Sequence, residues 1–401
     1  MKQKKIVCII FIFFAMIFYN KIYCANVFSS DENKYDVKSS EENLENLTDS
    51  AAQMYNLEEF VETINDSVKE NIGQEIEFKN IANDILNKNN INHKNLILKL
   101  VEIFSKEISS AIKGAITIFI IIVIMAIISN LELEKKSDIT SIAHLACFII
   151  IATITIATFI QTIAMLKSVI NTMSTLMQVI SPFLLTVLIA TGSISTTGII
   201  QPLLLFLASS VGFIVTYFII PLLSISVAFN TICSISENIR LEKLAKIFSS
   251  TSIWSIGVIL TVFLGVLSLE TSLSSSVDSL GIKTTQAAVS NFVPVVGKFF
   301  SDSFEVVVGA TKIIGKTGGV IGIIGIIVVA IVPILKIASI MGIYMLLSAL
   351  VEPICTDNLI SKYLYSFANI YKTILGVLIG VVILFIISTG IILNLVNNII
   401  V

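Results

Sequence analysis

The chain has 401 residues, 55% of them hydrophobic and only 13% charged, with a mean hydropathy of +0.93. Soluble proteins carry roughly 25% charged residues. A deficit this deep, in apolar blocks of about 20 residues, excludes an ordinary soluble domain and predicts a polytopic membrane protein. The formal net charge of −2 leaves no bulk basic field for nucleic acid.

The charge is unevenly spread. Residues 26–110 hold 17 acids and 8 lysines, whereas 111–401 hold 11 acids and 14 bases. An acidic soluble segment therefore precedes a mildly basic membrane domain. Residues 1–25 have the form of a signal peptide: Lys2, Lys4 and Lys5 form a basic start, and Ile6–Tyr19 an apolar core short for a span. An uncleaved anchor is the alternative; either way 26–110 is expected outside the cytoplasm. Residues 26–50, rich in Asn, Asp, Glu and Ser, read as a disordered linker.

From 51 to 110 an acidic helical segment is expected. Leu57, Phe60, Val61, Ile64, Val68 and Ile72 recur at three- and four-residue steps, which predicts an amphipathic helix ending near Gly73. A second helix carries Ile76, Ile81, Ile85 and Leu86. A third starts near Lys94 and runs into the first span, Gly114–Ser129. The apolar stripes need a surface, either the chain's own membrane domain or a partner protein.

The membrane domain, 111–401, reads as seven or eight spans. The expected ones are His144–Leu166, Met173–Thr191, Ile199–Leu222, Ile253–Leu269, Val320–Leu335, Ile337–Glu352 and Thr373 to about Leu395. Pro182, Pro202 and Pro221 each remove a backbone donor, so kinks or breaks are expected near them. Glu237–Ser250, with Arg240, Lys243 and Lys246, reads as an interfacial helix, and Pro353–Lys372 as a surface segment.

No phosphate-binding glycine loop, Rossmann fingerprint or nucleophile elbow occurs. His93 and His144 form no metal pair. The five cysteines lack pairing or ligand spacing. No cofactor and no enzymatic activity are expected. Glu270 and Glu352, then Lys167 and Lys336, are the ionisable residues that a transport path would use, or else anchors at span ends. Gly318 and Gly322 have the spacing that lets helix backbones approach, within the chain or toward a partner.

Residues 281–319 are too apolar for a loop and too charged for an ordinary span. Asn291 and Pro294 interrupt a first arm, Gly297 permits a turn, and Lys298, Asp302 and Glu305 share a polar side. The stretch reads as an interfacial or re-entrant hairpin on the extracytoplasmic side.

The run G-I-K-T-T-Q-A-A-V-S-N-F-V-P-V-V-G-K-F-F-S-D-S at 281–303 resembles the stage III sporulation protein AE family of endospore-forming Firmicutes. I-S-P-F-L-L-T-V-L-I-A-T-G at 180–192 and Gln201-Pro202 support the resemblance, which covers roughly 110–395. Lys298 departs from the small residue expected there. The Lys/Ile/Asn-heavy usage with one Arg fits a clostridial source. The resemblance implies an all-α, multi-pass protein of the mother-cell membrane surrounding the forespore. It implies partners among the other stage III sporulation operon proteins, a forespore membrane partner, and a role in a mother cell–forespore channel. It makes the hairpin, with Lys283, Thr284, Asn291, Phe292, Pro294, Gly297 and Asp302, the place for a partner or gate contact. The competing expectation is a stand-alone permease for small solutes, suggested by the proline-broken spans.

Overall fold

A computed structural model describes residues 57–72, 78, 81–82, 93–131, 138–191, 193–235, 241–292, 296–354 and 359–398, all within the unit Thr48–Val401. Between 270 and 308 only the backbone is described. The signal peptide, the linker, Cys8, Cys24 and Cys355 lie outside the described residues.

Every regular element among the described residues is helical. α1 (Leu57–Ile72) follows the predicted stripe: Phe60, Val61, Ile64 and Val68 are buried, while Glu58, Glu59, Glu62, Asp66 and Lys69 face outward. Glu58 and Glu59 in the first turn suit the positive end of the helix dipole. α2 (His93–Leu131) is the predicted third amphipathic helix running without a break into the first span. α3 (Asp138–Ala190) and α4 (Ile194–Ile214) follow. A π-helical turn (Val215–Ile219) joins α4 to α5 (Ile220–Ile235). α6 (Glu242–Phe292), α7 (Val296–Val351) and α8 (Leu359–Asn398) complete the chain.

Six stretches are long and apolar enough to cross a bilayer: Leu98–Ile128, Leu145–Ala190, Ile194–Ile235, Glu242–Leu269, Thr311–Val351 and Leu359–Val396. At 1.5 Å per residue, a 46-residue helix such as Leu145–Ala190 is about 70 Å long, against a hydrocarbon core of about 30 Å. The long helices therefore project beyond a single bilayer's apolar layer.

Several expected boundaries disappear. His144–Leu166 and Met173–Thr191 form one helix, α3, with Pro182 inside it. Val320–Leu335 and Ile337–Glu352 likewise merge in α7, which carries Pro333 within. Pro costs one hydrogen bond, but in an apolar setting the rest of the ladder has no water to replace it, so the helix persists. The described part of the expected interfacial helix, Glu242–Ser250, is the start of α6. The expected surface segment at 353–372 is also corrected. From Leu359 it is helix, and Tyr363, Leu364, Phe367 and Tyr371 are almost fully buried. α8 is the most enclosed span, with 61% of its most apolar window buried, against 22% for α2.

Why α8 sits centrally is visible in its contacts. The Tyr363 hydroxyl and Thr155 Oγ1 of α3 are hydrogen-bonded at 2.7 Å, and Phe148 packs edge-on against Tyr363, with ring centroids 5.2 Å apart. Tyr371 stacks on Tyr344 of α7 at 5.6 Å. Where α7 turns into α8, Ser348 Oγ donates to the Ser361 carbonyl at 2.9 Å and Ser361 Oγ donates back to the Ser348 carbonyl at 3.0 Å. Such bonds satisfy polar groups that an apolar bundle would otherwise leave unpaired.

The glycines of α7 pack within the chain. A Cβ at Gly315 would meet Val187 of α3 and Val396 of α8, one at Gly319 would meet Leu393 of α8, and one at Gly322 would meet Ile180 of α3. Gly318 lies against the Phe183 ring, which stacks on Phe60 of α1 with centroids 4.1 Å apart. Gly325 lies against Ile64. The amino-terminal stripe is thus covered by α3 and α7 of the chain's own membrane domain.

Candidate functional site

The signature stretch is helical on both sides of 293–295. Its first arm is the end of α6, unbroken from Glu242 to Phe292, and its second arm opens α7 at Val296. Pro294 lies outside the described residues. The side chains of Glu270, Lys283, Thr284, Asn291, Phe292 and Asp302 lie outside those described, and Gly297 falls in the first turn of α7. Glu352 stands just past the end of α7, exposed, its backbone N–H donating to the Ser348 carbonyl at 3.2 Å. Lys167 and Lys336 are exposed on α3 and α7. The structure does not gather these ionisable groups into one site.

It does gather uncharged polar groups. Most lipid-facing surfaces here are what a bilayer requires, as on α2, where Ile112, Ile116, Ile120, Ile124 and Ile127 are exposed. α3 differs. Between Ile160 and Ile189 it exposes no large apolar side chain. The outward positions carry Gln161, Ala164, Ser168, Asn171, Thr175 and Gln178, alternating three- and four-residue steps along one face, with Lys167 exposed beside Ser168 and Pro182 and Thr186 continuing the face.

Beside this stripe, α3 and α4 enclose an open groove of about 440 Å³. Asn171, Ser174, Thr175 and Gln178 come from α3; Ser209, Gly212 and Phe213 come from α4, and Thr216 and Tyr217 from the π-turn. At Gly212 the helices leave room for a Cβ, which would lie in ordinary contact 3.6 Å from Ser174 Oγ and 3.8 Å from Asn171 Oδ1. Ser174 is 9% exposed and its hydroxyl has no hydrogen-bond partner.

The π-turn has a sequence cause. Pro221 offers no N–H, and its ring would crowd the carbonyl of Tyr217 in a regular α-helix. The chain widens instead, and the Ile220 N–H donates to the carbonyl of Val215, five residues back. The wider turn presents Thr216 and Tyr217 along the groove wall, where Phe213 and Tyr217 lie 4.8 Å apart between ring centroids.

Chemically the groove can donate and accept hydrogen bonds to uncharged groups. It holds no acid, base or nucleophile pair. Among the described residues, no three His, Cys, Asp or Glu stand close enough to hold a metal ion. Cys147 and Cys233 are free thiols, and Cys233 Sγ accepts a hydrogen bond from the Leu241 N–H at 3.1 Å.

The model of the family described as stage III sporulation protein AE matches residues 76–395, from within the amino-terminal helical segment through most of α8. The chain belongs to the stage III sporulation protein AE family. It is 23% identical over 241 residues to the stage III sporulation protein AE of Bacillus subtilis (strain 168), a match covering 58% of this chain and 60% of that protein. The match thus spans less than two thirds of the relative's length. No solved structure matches the chain. Family membership and the apolar helices agree on a sporulation-related membrane protein.

Proposed function

We propose that the protein is a non-enzymatic integral membrane component of the mother cell–forespore channel complex that supports late forespore gene expression and spore formation. Membership of the stage III sporulation protein AE family, matched over 76–395, carries this reading. The multi-span helical architecture is consistent with it. In this reading the protein sits in the mother-cell membrane surrounding the forespore. Its partners are the other stage III operon proteins and a forespore membrane protein. Residues 1–25 direct export, 26–50 form a linker, and 51–110 face the space between the two membranes. The 281–319 hairpin meets partners or gates the conduit.

The deciding experiment is deletion of the gene in its spore-forming host. Spore formation should stop after engulfment while vegetative growth stays normal; a mutant that sporulates at full efficiency overturns the reading. The hairpin placement is tested separately. Ser290→Cys and Ser303→Cys should react with a membrane-impermeant thiol reagent in intact cells, and labelling only after lysis reverses the placement.

The groove between α3 and α4 favours a second reading, a stand-alone small-solute permease. Purified protein in liposomes should then move a solute unaided, and absence of flux across a broad panel removes this alternative.

A further inference from the structure

An apolar bundle that exposes hydroxyls and amides on one face must give them partners. An unpaired polar group in hydrocarbon costs several kcal/mol. Along α3 that face runs from Gln161 through Asn171 to Gln178, while α2 and much of α4 present Ile, Leu and Phe outward. The face is therefore wet or occupied.

Where α4 meets it, the face deepens into the 440 Å³ groove, within the roughly 300–1,000 Å³ typical of small-molecule sites. Ser174 Oγ, fully enclosed and without a hydrogen-bond partner, sits at the floor of the groove, 3.6 Å from the Cβ position of Gly212, so the polar character of the lining continues to the point where the two helices meet.

The lining chooses the ligand class. It contains no charged side chain, so a phosphate, carboxylate or ammonium group would enter unpaired. Asn171, Gln178 and Thr216 carry both donors and acceptors, and Thr175 and Ser209, whose hydroxyls donate to the Asn171 and Leu205 carbonyls, can still accept, which matches a run of hydroxyl groups. Phe213 and Tyr217 form an aromatic wall suited to the C–H face of such a molecule.

We propose that the α3–α4 groove binds a small uncharged polyhydroxyl solute, with the amides and hydroxyls of α3 holding its OH groups and Phe213 and Tyr217 covering its carbon face. The site stands apart from the channel-complex role: binding is measured on isolated protein, sporulation in cells, so either can fail alone.

The test uses the full chain in lipid nanodiscs and saturation-transfer NMR with glucose, xylitol and glycerol as probes. At least one probe should receive transfer. Gly212→Leu, whose side chain would extend across the groove from a position with room for its Cβ, should weaken binding about tenfold or more, the equivalent of 1.4 kcal/mol. The exposed pair Thr175→Val and Gln178→Leu, which leaves the core untouched, should weaken it as well, with thermal unfolding unchanged. No transfer from any of the three probes, or transfer that survives both sets of changes, overturns the proposal. So does ready disulfide linkage of two Gln178→Cys chains, which would make the face a contact between copies.

Discussion

Gly315→Ala tests the packing at the centre of the bundle. The added methyl would lie 2.6 Å from Val187 Cγ1 of α3 and 2.9 Å from Val396 Cγ1 of α8. Ordinary carbon contacts are about 3.5–4.0 Å, so each neighbour must retreat by about 1 Å. Both valines are fully buried and β-branched, with one strongly preferred rotamer in a helix, so rotation offers little relief. Overpacking of this kind costs about 1–3 kcal/mol. Replacing Gly by Ala inside a helix returns about 1 kcal/mol through propensity. The overpacking term wins, with a net loss of up to about 2 kcal/mol. Gly342→Ala in the same helix is the control. Nothing lies within 4 Å of its Cβ position, so only the propensity gain remains. Thermal unfolding of the purified full chain in detergent should place Gly315→Ala below the wild type and Gly342→Ala at or above it. Val187→Ala combined with Gly315→Ala should recover part of the loss. If Gly315→Ala unfolds at or above the wild-type temperature, the close approach of α3, α7 and α8 is refuted.

Phe60→Ala removes the ring stacked on Phe183 and should free α1 from the bundle, at a cost of about 3–5 kcal/mol to that contact. Faster proteolytic release of the amino-terminal segment with an intact membrane core is the expected readout. Thr155→Val removes the partner of the buried Tyr363 hydroxyl and should lower stability by about 1–3 kcal/mol, whereas Tyr363→Phe should cost less because Thr155 Oγ1 still donates to the Ile151 and Ala152 carbonyls, and thermal unfolding of the two variants checks the order. Ser348→Ala breaks one half of the reciprocal clasp with Ser361 and should loosen the α7–α8 turn by about 1 kcal/mol, measured as faster hydrogen exchange near 348–361.

Composition and periodicity carried the helical class and the placement of α1. The stripe Phe60, Val61, Ile64 and Val68 declares its buried face because α1 is flanked by water on its other side. Inside the membrane that contrast fades, since lipid-facing and core-facing positions are both apolar. The boundaries inside α3 and α7 were accordingly misplaced at Lys167, Pro333 and Lys336, residues that a long helix tolerates. The burial of Tyr363 and Tyr371 was hidden for a related reason: Lys362 and Lys372 beside them give the segment a surface look. The groove was missed because attention to ionisable residues passes over Asn, Gln, Ser and Thr. The available signal was Asn171, Thr175 and Gln178 at helical spacing on one face.

The docking of α1 also sets a timetable for biosynthesis. Phe60 and Ile64 leave the ribosome long before their partners, Phe183 and Gly325. At about 5–20 residues per second, the roughly 250 residues that separate α1 from Gly325 take tens of seconds to make. For most of that interval the amphipathic helix has at best the α3 half of its site, and the site is complete only when α7 has been delivered. Correct seating of α1 is therefore a late event, and its protection from protease in a pulse-labelled chain would report that the membrane domain has been completed.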